Sequence, residues 1–341
     1  MKEFGSDFHY LPIQDNPVRT IVRYYPDAVY YADGRQALLD LYRQNRWKRL
    51  WVPDYFCYEV LSSIERDGIQ LKFYSDYPLA DDYDALLSLP YQDGDVLLRV
   101  NYFGLRAKRS NRDIAVPVIE DHTHDLIGDW AKNSDADWCI ASLRKTLPLA
   151  EGGILWSPKG LKLQTMPALT SENELLASVR WSAMRTKALY LNNQIEDKQA
   201  FRRDLVSTED KFDKIEISAI DNESSEYIKQ FDVAQWYKLK EENRVILKEK
   251  VQECHPMAVL EAESADCNPF SFTMLFDSAE DRNDFRSFLI HHDVYPAILW
   301  NVPNNKNLEV VDFSERMLSI HCDARYSKSE MIQLANIINS R

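Results

Sequence analysis

The segment that fixes the reading begins Val116-Pro-Val-Ile-Glu-Asp121-His-Thr-His124-Asp125. It continues through Trp138-Cys-Ile-Ala-Ser142-Leu-Arg-Lys145 to Thr146-Leu-Pro-Leu-Ala-Glu-Gly152-Gly153-Ile-Leu-Trp156. Val116–Ile119, Trp138–Ala141 and Ile154–Trp156 are apolar on successive rather than alternate residues. Strands buried on both faces, as in a parallel sheet, show that pattern. Polar and ionisable residues follow the first two runs directly, and open α/β sheets bind ligands outside the carboxyl ends of their strands.

Upstream the same alternation repeats. Asp33, a suitable N-cap, precedes the helical spacing of Arg35-Gln-Ala-Leu-Leu-Asp-Leu-Tyr42. Strands are predicted at Leu50–Val52, Leu71–Tyr74 and Val96–Val100, with helices at Glu59–Arg66 and Asp84–Leu89 between them. From about Leu161 to Glu253 the pattern turns helical and charged, and Glu216–Glu253 reads as the solvated face of long helices. Beyond Cys267, strands are expected at Phe270–Phe276, Tyr295–Trp300 and Met317–Ile320, with helices at Glu280–His291 and Ser327–Asn339. The chain therefore divides into a large α/β domain (1–160), a helical bridge (161–253) and a small α+β domain (254–341).

Composition narrows the function. The 341 residues are 45% hydrophobic and 28% charged, an ordinary globular balance with room for two domains. Lys+Arg total 41 against 54 Asp+Glu, a net charge of −13, which repels nucleic acid and anionic lipid. No run approaches the roughly 18 apolar residues of a membrane span. Met1–Asp15 lacks the basic-then-apolar pattern of a signal peptide, so a cytoplasmic protein is expected. The five cysteines (57, 139, 254, 267, 322) form no CxxC pair and read as reduced, apolar core residues.

Four features carry chemistry. Lys145, just past a buried strand and followed by Pro148 and Gly152-Gly153, suits a lysine of lowered pKa that attacks carbonyls, although most lysines are simply solvated. Arg144 beside it lowers that pKa further if both side chains point inward. Asp121, at the end of an apolar strand, can hold a heterocyclic nitrogen protonated, or cap a helix. With His122, His124 and Asp125 it also forms a candidate metal cluster. Gly34 opens a helix whose free N–H groups suit a phosphate. In Val52-Pro-Asp-Tyr55-Phe-Cys57-Tyr58, one ring could stack on a planar ligand, though core packing is the commoner use. Trp300 and Asn301 follow an expected strand and could border a site. His291-His292 suits a helix C-terminus.

Taken in order, five segments and a C-terminal one resemble the fold-type I pyridoxal-phosphate enzymes, specifically the DegT/DnrJ/EryC1/StrS-like sugar aminotransferases. They are Gly34-Arg-Gln-Ala-Leu38, Val52-Pro-Asp-Tyr55, Asn101-Tyr-Phe-Gly104, Val118-Ile-Glu-Asp121, Ser142-Leu-Arg-Lys145 with Gly152-Gly153, and Asp323-Ala-Arg-Tyr326. The likeness runs from about residue 30 to the C-terminus. It implies a mostly parallel seven-stranded sheet in the large domain, a small C-terminal α+β domain, and a homodimer with sites at the subunit interface.

The resemblance also implies roles. Lys145 would bind pyridoxal 5′-phosphate as a Schiff base and move the proton during transamination. Asp121 would pair with the pyridine nitrogen. Gly34, Arg35 and Ser142 would hold the phosphate, His124 would lie on the cofactor's hydroxyl side, and Tyr55 or Tyr58 would cover its ring. The implied substrates are small molecules: glutamate or a similar donor, its carboxylate met by Arg325 or Arg185, and a nucleotide-linked keto-sugar for surface polysaccharide. The chain departs from the group at Arg35, where a small hydroxyl residue is usual, at His124, where glutamine is usual, and at Leu143-Arg144, where many relatives carry His-Pro-Thr-like residues, so that the serine spacing is also altered. Relatives that act as lyases or dehydratases replace the lysine, so Lys145 favours transamination. A binding or regulatory protein that has lost catalysis, and a metal-dependent hydrolase built on His122 and His124, are the alternatives.

Overall fold

The computed structural model describes residues 3–13, 19–80, 83–212, 216–252, 257–303 and 306–341. Its strands are, in chain order, β1 (Phe4–Gly5), β2 (Val29–Tyr31), β3 (Arg49–Pro53), β4 (Gln70–Tyr74), β5 (Asp95–Val100), β6 (Val118–Asp121), β7 (Trp138–Ser142), β8 (Gly153–Trp156), β9 (Met257–Val259), β10 (Phe272–Phe276), β11 (Val294–Tyr295) and β12 (Met317–Ile320). Seven of them form one sheet in the order β2-β8-β7-β6-β5-β3-β4. β3 to β7 run parallel, and β8 alone is reversed, antiparallel to both β7 and β2. This is the mostly parallel seven-stranded sheet expected.

The unbroken apolar runs have the predicted cause. Every residue of β5 and β8 is buried, and successive side chains feed two cores on opposite faces. Leu97, Val118, Cys139 and Ile154 join a cluster with Trp181 and Trp236. Leu98, Ile119, Ile140 and Leu155 join Leu38, Leu41 and Leu61. The helix expected after Asp33 spans Gly34–Asn45, and the Asp33 carboxylate accepts the Gln36 N–H at 2.8 Å.

Four helices, Ser171–Leu191, Gln199–Phe212, Asn222–Gln230 and Val233–Lys250, fill the charged central stretch. The last is more than a solvated face. Lys240, Asn243 and Arg244 are buried, with the Lys240 amine 4.0 Å from the Tyr237 ring centroid and Asn243 donating to the Asp323 and Tyr326 carbonyls. A three-stranded antiparallel sheet, β12-β10-β9, then builds the small α+β unit, closed by helix Lys328–Asn339 with a Ser327/Glu330 capping box.

Some elements differ from the sequence reading. The strand expected over Tyr295–Trp300 is only Val294–Tyr295, paired in parallel with β1 at the N-terminus. Ala297 still bridges Ser319, and the chain then leaves the sheet so that Ile298–Asn301 wall a cavity. β1, β2, β9 and helix Leu308–Arg316 were not anticipated; the three strands are only two or three residues long, too short for a periodicity to show. Cys254 and the boundary expected at 253/254 lie outside the described residues.

Two glycines let backbone meet backbone where β7, β8 and helix Gly34–Asn45 converge. A Cβ on Gly153 would lie 2.2 Å from the Asp33 carbonyl oxygen, and one on Gly34 would lie 3.1 Å from the Ser142 nitrogen. Neither obstacle is a flexible side chain. Gly153→Ala is therefore expected to lower unfolding stability by about 2 kcal/mol or more, as overpacking does, which a urea titration measures.

Candidate active site

A cavity of ≈ 440 Å³ opens where β5, β6 and β7 end, walled by Val100, Asp121 and Ile140–Ser142. Helix Gly34–Asn45 contributes Gly34, Arg35 and Leu38, and the loop after β3 with the following helix contributes Phe56–Val60. Phe270 and Ile298–Asn301 close it from the C-terminal part of the chain. Arg144, Lys145 and Glu209 complete the wall.

Lys145 ends a short 3-10 turn directly after β7. That turn is held on three sides. Leu143 donates its N–H to the Gly152 carbonyl at 2.8 Å, Thr146 Oγ1 donates to the Thr123 carbonyl at 2.7 Å, and Trp236 Nε1 donates to the Thr146 carbonyl at 2.9 Å. The Lys145 side chain keeps 52% of its surface exposed, and that surface faces the cavity. Its pKa is lowered chiefly by the Arg144 guanidinium and then by burial, with Glu209 opposing. The effect expected of adjacent like charges is thus present.

Asp121 terminates β6 and accepts the Thr123 N–H at 2.8 Å. Burial raises its pKa, and that Thr123 bond opposes the rise. Thr123 Oγ1 in turn accepts the Ser142 N–H at 2.9 Å, so the ends of β6 and β7 are fixed to one another.

The two histidines part company. His122 Nε2 lies 3.1 Å from Glu120, whose carboxylate also takes Asn111 and Ser134, each at 2.6 Å. His124 Nδ1 accepts the Phe103 N–H at 3.2 Å, so its proton resides on Nε2. Its ring stacks on Trp300 with centroids 5.4 Å apart and 25° between planes. Burial, followed by the Lys145 and Lys240 charges, pushes its pKa down to about 3, leaving a neutral imidazole. Asp125 caps the Ile127 and Gly128 N–H groups. The metal cluster considered from sequence is therefore dispersed. Among the described residues, ligand-type atoms converge instead at Glu120, His122 and Cys139, inside that hydrogen-bonded buried knot.

At the helix start, Gln36 N–H is used by Asp33 Oδ1 and Ala37 N–H by the Asp33 carbonyl. Gly34, the first residue of that helix, and Arg35 after it both line the cavity. The cavity thus brings together Gly34, Arg35, Tyr58, Asp121, His124, Ser142 and Lys145.

Tyr55 stands apart. It is wholly buried against Tyr102, Phe103 and Phe313, and its hydroxyl donates to the Leu299 carbonyl. Tyr58 reaches the wall but stacks on Phe73. The flat surface beside His124 is Trp300. Neither arginine considered for a donor carboxylate lines the cavity: Arg325 is bidentate to Asp323, and Arg185 pairs with Glu223. Sequence reasoning missed Glu209, which lies in the stretch read only as helical and charged. It accepts both Arg144 amines, at 2.6 and 2.8 Å.

Behind the lysine turn, Glu151 accepts Asn173 Nδ2 and the Asp221 N–H. Burial and the neighbouring Asp221 carboxylate push its pKa up to about 9 from 4.5. The folded protein thus keeps this proton up to about pH 9, while the unfolded chain releases it near 4.5. Stability is then greatest below the lower value and falls as pH rises through this window. Glu151→Gln is expected to flatten the decline of Tm between pH 5 and pH 9.

No family model and no curated protein sequence matches the chain. Solved structures do match in fold. PseC of Helicobacter pylori, an aminotransferase involved in the biosynthesis of pseudoaminic acid, superposes with a TM-score of 0.68 at 14% identity, over 99% of this chain and 99% of its own. DesI, solved with its TDP-sugar product, gives 0.64 at 12% identity over 98% and 94%. Spr1654 of Streptococcus pneumoniae, solved in its PLP form, gives 0.63 at 13% identity over 98% and 92%. The fold expected from the sequence is thus the fold observed.

Proposed function

We propose that this protein is a pyridoxal-phosphate-dependent aminotransferase. In this reading it moves an amino group from glutamate or a similar donor to a nucleotide-linked keto-sugar, for surface polysaccharide, as a cytoplasmic homodimer. One observation carries the proposal. An amine of lowered pKa, Lys145, and a buried carboxyl group, Asp121, stand in one cavity at the ends of neighbouring strands. The sharing of fold with PseC and DesI supports the choice of a sugar. Among the described residues no helix is long and apolar enough to cross a membrane.

The residues fit the cofactor. Gly34 lies where a Cβ would crowd Ser142, leaving a backbone cradle with the Gly34 and Arg35 N–H groups and the Ser142 hydroxyl for a phosphate. The Asp121 carboxyl, raised in pKa by burial, suits a cationic ring nitrogen, whose charge would bring it back to the carboxylate. His124, with Nε2–H as a fixed donor, suits a ring hydroxyl oxygen, and Trp300 provides an apolar plate. Once bound, pyridoxal phosphate supplies the electron sink for breaking a bond at the substrate carbon.

The chain's own part is proton handling and placement. Arg144 favours the neutral Lys145 amine, which can then take a proton at Nζ and return it one atom away. Trp236 and Thr123 hold the turn that carries Lys145, and Phe270 and Trp300 keep water from the inner wall. Residues 1–160 grip the cofactor in this reading, and residues 161–253 brace them.

Titrating the protein with pyridoxal phosphate is expected to give a near-visible absorbance band that glutamate shifts. Lys145→Ala should lose or displace that band, and Asp121→Asn should retain it while amino transfer falls by roughly 10²-fold or more. Absence of any band in the unaltered protein would sink the proposal. A band indifferent to every amino donor would favour the binding protein without catalysis.

A further inference from the structure

The charged pair that tunes Lys145 has a geometry of its own. Arg144 spreads both terminal amines against the Glu209 carboxylate, at 2.8 and 2.6 Å, and Glu209 Oε1 is 3.9 Å from Lys145 Nζ. Arg180 stands behind, its NH1 3.3 Å from the same carboxylate. It is itself anchored to the Ala150 carbonyl at 2.8 Å and Thr208 Oγ1 at 2.9 Å. The Phe212 ring lies beneath both guanidinium groups, 5.0 and 5.2 Å from them. Exposure is unequal. Only 11% of the Arg144 side chain is open, against 43% of Glu209. The cationic half is built in, and the anionic half hangs into the cavity on a side chain with three rotatable bonds.

We propose that Arg144, backed by Arg180, is the subsite for the α-carboxylate of the amino donor, and that Glu209 is its displaceable internal occupant. The proposal rests on the aminotransferase reading for the word donor, but the subsite is defined by carboxylate chemistry alone. Three points support it. The planar fork of Arg144 already holds a carboxylate bidentately, the geometry an amino acid would present. Glu209 is ionised: burial would raise its pKa, but Arg144, Lys145 and Arg180 pull it down to about 2. Reach then selects the α-carboxylate. Ordinary bond lengths place an α-amino nitrogen about 3 Å from the oxygens of its own carboxylate. A donor whose α-carboxylate took the place of Glu209 could therefore set its amine beside Lys145 Nζ, which lies 3.9 Å from Glu209 Oε1. A side-chain carboxylate two methylenes further off would carry that amine past the lysine.

Glutarate, which carries carboxylates and no amine, reads this subsite without any amino transfer. It is titrated calorimetrically into the protein with and without pyridoxal phosphate, alongside absorbance titrations with glutamate. Glu209→Gln, which leaves the fork without a competing charge, is expected to bind glutarate about 10-fold more tightly, in line with the strength of charge-assisted hydrogen bonds. Arg144→Lys, which keeps the charge and loses the fork, is expected to bind it about 10-fold more weakly.

Absence of glutarate binding in every form, or equal affinity in all three proteins, overturns the subsite. So does an Arg144→Lys protein that loses pyridoxal phosphate but keeps glutarate, because the fork would then belong to the phosphate. A cofactor band that glutamate fails to shift, with glutarate affinities still ordered as expected, overturns the aminotransferase reading and leaves the carboxylate subsite standing.

Discussion

The molecule depends on a backbone-to-backbone approach that only glycine permits. At Gly153 the first residue of β8 lies against the Asp33 carbonyl, and at Gly34 the first residue of the helix lies against Ser142 at the end of β7. These contacts bring three things to one corner: a helix N-terminus, the end of a buried strand, and the turn bearing Lys145. A side chain at either glycine would push the helix N-terminus away from the strand end and the turn bearing Lys145. Asp33 secures the arrangement by capping its own helix with its carboxylate while its carbonyl lies against Gly153.

Electrostatics inside the cavity run against the sign of the whole. The chain carries a net −13, yet Arg35, Arg144 and Lys145 all line the cavity, with Arg180 behind Glu209. Glu209 pairs with Arg144 and Arg180 and lies 3.9 Å from Lys145, so the two buried guanidinium groups share a carboxylate. Asp121, at the end of β6, lines the same cavity, and burial raises its pKa.

Much of this was legible in the sequence, for identifiable reasons. Strands buried on both faces leave apolar runs, so β5, β7 and β8 could be placed to within a residue or two. Asp33 and the apolar spacing after it announced helix Gly34–Asn45. Lys145 and Asp121 could be singled out because each follows such a run. What could not be read was direction and partnership. Tyr55 and Tyr58 are equivalent on paper, and only packing sends the first into the core. Arg325 looked available until Asp323, two residues earlier, was seen to hold both sides of its guanidinium. Glu209 and Lys240 lie in helices whose charge suggests solvent; tertiary packing decides which of many charges turns inward. Trp300 was expected on a strand, and the chain leaves the sheet before reaching it.

The reversal of β8 has one more consequence. Because β8 returns beside β7, Ser142 and Gly153 are paired in the ladder, and residues 143–152 form the closed tip of a hairpin rather than part of a long crossover. The Leu143–Gly152 hydrogen bond draws the mouth of that tip shut. The conformational freedom of the amine-bearing loop is therefore surrendered when the chain folds, not when a ligand arrives. Binding at this corner can proceed with little further loss of backbone entropy, which is the physical content of a preorganised site.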